Sequence, residues 1–347
     1  MPEAEYVAAL LDDLSQDIAA FGEDRPISSI FIGGGTPSLF TPESIARLLA
    51  GVRTRITLAP DAEITMEANP GTVEAGRFNG FREAGINRIS IGVQSFDGEK
   101  LGRLGRIHDA QQAINAAAFA HQAGLNSFNL DLMHGLPDQS LEQAMADLDQ
   151  AIALAPPHLS WYQLTIEPNT AFASKPPTLP QDDTLWEIQE LGHEKLTRAG
   201  YVQYETSAYA KPGYQCQHNL NYWRFGDYLG IGCGAHGKIT TQNGDIVRTV
   251  KVKHPKGYLD LLRPYLDQKH IVDDSELGFE YMLNRFRLLE PCPKDEFPQR
   301  TGLCLSSITP ALAKAETMGL ITDNQKEWQI TPKGQRYLNE LLTLFID

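Results

Sequence analysis

Four short apolar runs of this sequence end in groups that can hydrogen-bond a ligand. Gly33-Gly34-Gly35-Thr36-Pro37 follows Ile30-Phe31-Ile32, Glu67 follows Ile64-Thr65-Met66, Gln94 follows Ile89-Ser90-Ile91-Gly92-Val93, and Asp131 follows Phe128-Asn129-Leu130. At the carboxyl ends of the strands of a parallel α/β barrel the loops converge and the interior need no longer be apolar, so that is where polar side chains do chemistry. Three consecutive glycines let the main chain approach a ligand closely and present amides to a carboxylate or phosphate. Each signal has a bland competitor when taken alone. A glycine run is as often a bare turn, and a lone acid at a strand end more often caps a loop. Their coincidence at four strand ends points to a binding mouth.

The elements that must position these groups are readable as alternating βα units. Runs rich in β-branched residues, Ile27 to Ile32, Glu63 to Met66, Arg88 to Val93, Ser127 to Leu132 and Leu159 to Leu164, predict strands covered on both faces. Helical periodicity predicts helices after Thr41-Pro42 (a capping residue before a proline at the first helical position), and over Glu74 to Ala84, Ala110 to Ala123 and Leu141 to Ala155. A Pro-rich stretch, Lys175 to Pro180, precedes one more helix over Thr184 to Ala199. We place a boundary near Lys211, giving a partial (β/α) barrel over 1–210, a linker over 211–254 and a C-terminal domain over 255–347. The last part carries helical patterns at Gly257 to Leu266, Leu277 to Leu288 and Leu312 to Met318. A hairpin then joins Leu320-Ile321-Thr322 to Trp328-Gln329-Ile330-Thr331, the layout of a winged helix.

Composition narrows the function. With 347 residues, 42% of them hydrophobic, the chain can bury a sizeable core. Its formal charge of −14 repels a phosphate backbone. The C-terminal stretch from Lys256 carries 11 Lys plus Arg against 14 Asp plus Glu, a net of −3, so the winged-helix layout does not read as a nucleic-acid binder. No apolar run reaches the roughly 18 residues of a membrane span, and the expected location is cytoplasmic. Cys216, Cys233, Cys292 and Cys304 are too scattered for a close metal-binding pair and read as reduced thiols.

The strand-end segments, continued as Glu67-Ala68-Asn69-Pro70, Gln94-Ser95-Phe96 and Asp131-Leu132-Met133-His134-Gly135-Leu136-Pro137, resemble those of the oxygen-independent coproporphyrinogen oxidase group of radical-SAM proteins. The resemblance implies that Gly34, Gly35 and Thr36 meet the methionine moiety of S-adenosylmethionine, with Glu67, Gln94, Arg106 and Asp131 completing the pocket. Arg106 would pair with the ligand carboxylate through its planar fork. Its bland reading is a surface arginine.

A second segment, Cys216-Gln217-His218-Asn219-Leu220-Asn221-Tyr222-Trp223, contains a His-Asn-x-x-Tyr-Trp motif similar to the one that sets HemW haem chaperones apart from the true oxidases. A neutral imidazole from His218 can ligate haem iron, while Tyr222 and Trp223 offer flat apolar faces to the macrocycle. The competing reading is a buried histidine beside two aromatics. Cys216 is a thiolate alternative, although a lone cysteine is more often a small buried hydrophobe. The segment Gly230 to Gly237, with Cys233 and His236, is expected to close over the adenosylmethionine mouth.

The resemblance runs along nearly the whole chain and implies a haem chaperone that passes haem to an acceptor protein. A respiratory-chain component, transiently membrane-associated, is one candidate acceptor, and nucleic acid is not a partner. The family also uses a Cys-x3-Cys-x2-Cys loop to hold a [4Fe-4S] cluster. No cysteine precedes Cys216, so the cluster loop and the first barrel strand are expected to lie upstream of this sequence or to be lost. Two rivals remain: a coproporphyrinogen-decarboxylating oxidoreductase of porphyrin biosynthesis, disfavoured by the His218 motif, and a cluster-less, non-catalytic scaffold.

Overall fold

The predicted strands meet in one seven-stranded sheet. It consists of β1 (Ile27–Ile32), β2 (Leu58–Ala68), β3 (Arg88–Gln94), β4 (Ser127–His134), β5 (His158–Gln163), β6 (Val202–Glu205) and β7 (Ala208–Ala210), in the order β1-β2-β3-β4-β5-β7-β6. The computed structural model describes residues 2–22, 25–72, 75–260 and 263–346. Strands β2 to β5 pair in parallel, whereas β7 runs antiparallel to both β5 and β6. The hairpin β6–β7 has no counterpart among the sequence expectations, because strands of four and three residues are too short to show a period.

These strands are covered on both faces, as expected, but only one of the two faces is apolar. Met66, Ile89, Ile91, Val93, Leu130, Leu132, Leu159 and Trp161 are buried and alternate along the chain with polar residues. In register, Glu67 lies beside Ser90, Ser90 beside Asn129 and Asn129 beside His158; the next row runs from Gly92 to Asp131 to Ser160. One face of the sheet therefore carries the apolar core and the other is a polar interior. That arrangement is a partial (β/α) barrel whose inside is built for hydrogen bonding.

The connecting helices follow their sequence signals. Helix Pro42–Arg53 starts with Thr41 accepting the Ser44 amide at 3.2 Å. Capping boxes open helix Ala110–Ala123 (Asp109 with Gln112) and helix Leu141–Ala153 (Ser140 with Gln143), each satisfying two otherwise orphaned amides. Helix Ala75–Ala84 is as expected, except that the predicted first residue, Glu74, lies outside the described residues.

Contacts divide the described chain into two units. The first comprises Ser29–Ala46 and Asp61–Gln215; the second comprises the residues before Ser29, Arg47–Pro60 and everything from Cys216. The second unit holds an antiparallel sheet of β8 (His236–Thr240), β9 (Ile246–Lys251) and β10 (Leu266–Ile271), ordered β10-β9-β8. The helix expected from Gly257 to Leu266 is corrected here. Only Pro255–Tyr258 is helical, Leu261 and Leu262 lie outside the described residues, and Leu266 starts β10. Strand β10 is mostly exposed and its sequence, Leu-Asp-Gln-Lys-His-Ile, has no alternation; pairing with β9 decides its state.

The C-terminal part matches the winged-helix layout. Helix Asp274–Arg285, β11 (Cys292–Pro293), helices Glu296–Thr301 and Thr309–Thr317, and the hairpin of β12 (Ile321–Asp323) and β13 (Glu327–Ile330) follow in order, with sheet order β11-β13-β12. Tyr281, Met282, Phe286, Phe297, Leu312 and Trp328 form its core. The N-terminal helix, Glu3–Phe21, joins the same unit through buried charges: Lys251 pairs with Asp13 and Asp17, and the Tyr258 hydroxyl donates to Asp13 at 2.6 Å. Removing one partner of such a cluster costs about 3–5 kcal/mol, since the other charge is left buried alone.

Candidate functional site

Around the carboxyl ends of β2 to β5, the first unit gathers the strand-end residues. Gly34 and Gly35 adopt φ of 79° and 61°, the left-handed region that glycine enters freely, and stand exposed after β1. The Gly34 amide donates to Glu67 Oε2 at 3.1 Å. Gly33 makes this approach possible, because a Cβ there would lie 3.1 Å from the Glu67 carboxyl carbon and 2.8 Å from the Phe31 ring. Thr36, partly buried, begins the short turn through Leu39. Burial raises the Glu67 carboxyl above its ordinary range, and the nearby Asp131 charge adds to the shift.

Asp131 is held from both sides. Its Oδ2 accepts from the Ser90 hydroxyl at 2.9 Å and its Oδ1 from the Asn129 amide at 2.8 Å. Asn129 Oδ1 in turn meets His158 Nδ1 at 2.7 Å, and His158 Nε2 meets the Tyr204 hydroxyl at 2.7 Å. Burial holds His158 well below its ordinary value, so it is neutral, and burial raises Asp131.

Gln94 sits in a local irregularity. The register between β3 and β4 slips between Gly92 and Gln94, and Gln94 takes φ of 68°, a strained conformation of the sort concentrated at functional sites. The turn is braced from beneath: Asp147 accepts from the Ser95 hydroxyl and the Phe96 amide, both at 2.7 Å, while His108 Nε2 meets the Val93 carbonyl at 3.0 Å.

The residue that sequence reasoning missed here is Tyr162. Its hydroxyl donates to Gln94 Oε1 at 2.9 Å and is pushed up to about 12, mainly by burial, with the charges of Asp131 and Glu67 raising it and Arg106 opposing them. One hydroxyl thus senses Glu67, Gln94, Arg106 and Asp131 together. Arg106 itself is exposed.

In the second unit the His-Asn-x-x-Tyr-Trp motif folds as helix Gln217–Trp223. His218 and Tyr222, one turn apart, share a face and meet edge-on at 4.5 Å between centroids; Tyr222 meets Tyr228 at 4.4 Å. Trp223 carries the Arg287 guanidinium 4.3 Å from its ring centroid, so that aromatic face already holds a cation. A cavity of about 190 Å³ opens beside the motif, lined by Tyr222, Trp223, Phe225 and Tyr228 with Lys238 and Arg248. Neither cation carries a signal in the sequence alone.

The cysteines do not converge. None is disulfide-bonded, Cys216 is buried at the start of the motif helix, Cys292 is buried in the C-terminal core, and Cys304 is exposed. The Cys233 segment is tied to the N-terminal helix, with the Cys233 amide donating to the Tyr6 hydroxyl and the Gly232 amide to Asp13, both at 3.1 Å. Among the described residues no group of three His, Cys, Asp or Glu side chains is arranged to hold a metal ion. No described helix is long and apolar enough to cross a membrane.

The half-barrel with a glycine loop and polar strand ends is that of a parallel α/β barrel protein, and comparison with known proteins gives its class, radical SAM: residues 5–149 match the Radical SAM superfamily model and residues 272–337 the HemN C-terminal domain. Coproporphyrinogen III oxidase (HemN) from Escherichia coli shares the fold, with a TM-score of 0.81 over 99% of this chain and 83% of that one, at 23% identity. Among curated proteins the chain is 61% identical to Heme chaperone HemW of Escherichia coli K12 and 58% identical to that of Haemophilus influenzae, in each case over 100% of this chain and 91% of the relative. The HemW of Bacillus subtilis is 32% identical, over 99% and 92%. The chain belongs to the HemW haem chaperone family.

Proposed function

We propose that this protein binds haem at the His218–Tyr222 face of helix Gln217–Trp223 and passes it to an acceptor protein. His218 is the iron ligand, and Tyr222 and Trp223 lie against the macrocycle. The observation that carries this reading is the pairing of His218 with Tyr222 on one helical face beside a cavity with two cationic walls, in a chain whose relatives are named haem chaperones. The acceptor has no signature in these residues. By motif, residues 1–210 serve as the barrel, 211–254 as the haem-binding linker and 255–347 as the C-terminal domain.

The mouth of the first unit suits S-adenosylmethionine. The exposed turn at Gly34 and Gly35, with Thr36 and Arg106, lets a ligand's α-carboxylate approach, while Glu67, Asp131 and Gln94 offer acceptors to an ammonium group, a sulfonium and ribose hydroxyls. When bound, the cofactor brings a sulfonium-activated adenosyl group. The residues present do not fit a [4Fe-4S] cluster, since four dispersed thiols supply no three-cysteine cradle.

Haem titration by absorbance tests the reading. His218→Ala should weaken binding at least about tenfold, because losing even a supporting partner of a metal ligand costs about 10- to 100-fold in affinity. Cys216→Ala and Cys233→Ala should bind nearly as the parent. Equal binding by the parent and His218→Ala would remove this residue from the site.

A further inference from the structure

Strands β8 and β9 set Lys238 directly opposite Arg248 in register. Like charges directly opposite each other destabilise a sheet, and the Lys238 side chain is only 2% exposed, so this pairing asks for a reason. Each cation is steadied from behind. Lys238 Nζ donates to Asp227 Oδ1 and to the Phe225 carbonyl, both at 2.9 Å, while Arg248 pairs with Glu280 and donates to the Tyr228 hydroxyl at 3.0 Å. Those carboxylates do not line the cavity that the two cations share.

Further positive charge surrounds them. Arg25 shares Asp227 at 2.6 Å, and the charges of Arg248 and Arg300 are both felt at Lys238. Three cations, Arg25, Lys238 and Arg248, thus share two carboxylates, in a chain whose net charge is −14. The cavity wall also contains Trp223, whose Nε1 is a buried donor with no partner among the described residues. Donors, cations and aromatic faces together describe a receptor for an anion carried on an apolar, flat body. At about 190 Å³ the space is below the roughly 300 Å³ at which drug-sized pockets begin. That is room for an arm of a ligand and not for a macrocycle.

We infer that this cavity receives a propionate carboxylate of the tetrapyrrole, with Arg248, Lys238 and Trp223 Nε1 as its donors. The inference rests on the haem-binding reading above and adds to it the group that orients the ring. Charge-assisted hydrogen bonds are the strong ones, and a desolvated carboxylate opposite two cations gains accordingly. An esterified propionate cannot make them as an anion, so its loss isolates the interaction without touching the protein.

The test is absorbance titration of the full chain with haem and with haem dimethyl ester, repeated for Arg248→Gln and Trp223→Phe, each checked for folding by thermal unfolding. The parent should bind haem about tenfold or more tightly than the ester. Arg248→Gln should bring haem affinity down to that of the ester while leaving ester binding unchanged, and Trp223→Phe should act in the same direction more weakly. Equal binding of haem and ester by the parent overturns the propionate site but leaves haem binding intact. The propionate site is overturned likewise if Arg248→Gln weakens both ligands equally. Failure of the parent to bind either ligand overturns the haem-binding reading itself, and this inference with it.

Discussion

Asp147, on helix Leu141–Ala153, is 4% exposed and grips the turn that carries Gln94 through Ser95 and Phe96. Burial outweighs these two donors and pushes its carboxyl from 3.8 to about 6. The folded protein therefore holds this proton more tightly than the unfolded chain. The contribution to stability is full below the unfolded value and is lost as pH rises through about 6. A gap of about two units at roughly 1.4 kcal/mol each makes the loss about 3 kcal/mol. Asp147→Asn never ionises, and its amide can still accept from Phe96 and donate to the Ser95 oxygen. Urea unfolding of both chains at matched pH values gives the difference directly, and every other titrating group cancels. The variant should gain about 3 kcal/mol on the parent between roughly pH 4 and pH 7. Parallel pH profiles would refute the reasoning, as would a carbon-13 titration placing the Asp147 carboxyl near 4.

Three further outcomes are expected. Tyr162→Phe strands the Gln94 carbonyl without its donor, at a cost of about 1–3 kcal/mol, and should weaken S-adenosylmethionine binding measured by calorimetry; unchanged affinity would remove Tyr162 from the mouth. Gly33→Ala forces a Cβ against Phe31 and the Glu67 carboxyl, so thermal unfolding should register about 1–3 kcal/mol of overpacking and ligand affinity should fall with it. After anaerobic reconstitution with iron and sulfide, the 347-residue chain should show neither stoichiometric iron nor 5′-deoxyadenosine formation, because its four thiols are dispersed; a full cluster with turnover would overturn that expectation.

The parallel strands and their helices were legible because each carries its own local signal. Thr41 before Pro42 marks a helix start, and β-branched runs such as Arg88 to Val93 mark strands. Elements without such signals stayed hidden. Strands β6 and β7 are too short, and β10 is an exposed edge whose helix-like composition yields to pairing with β9. The polar face of the sheet was also concealed. In Arg88-Ile89-Ser90-Ile91 the apolar residues dominate the reading, yet alternate positions point into a hydrogen-bonded interior.

The same contrast separates the site residues. Glu67, Gln94 and Asp131 could be picked out because each ends an apolar run, a position that chain order alone reveals. Tyr162 lies inside such a run, where a tyrosine passes for one more apolar residue; only the closure of β5 against β4 brings its hydroxyl to Gln94. Asp147 reads as the polar side of an amphipathic helix until the fold turns it under the Ser95 loop. Lys238 and Arg248 are ordinary strand cations ten residues apart until the β8–β9 register sets them face to face. Sequence therefore shows which polar groups end the strands, because strand ends are local facts. The groups that brace them belong to pairing and register, and those exist only after the chain has folded.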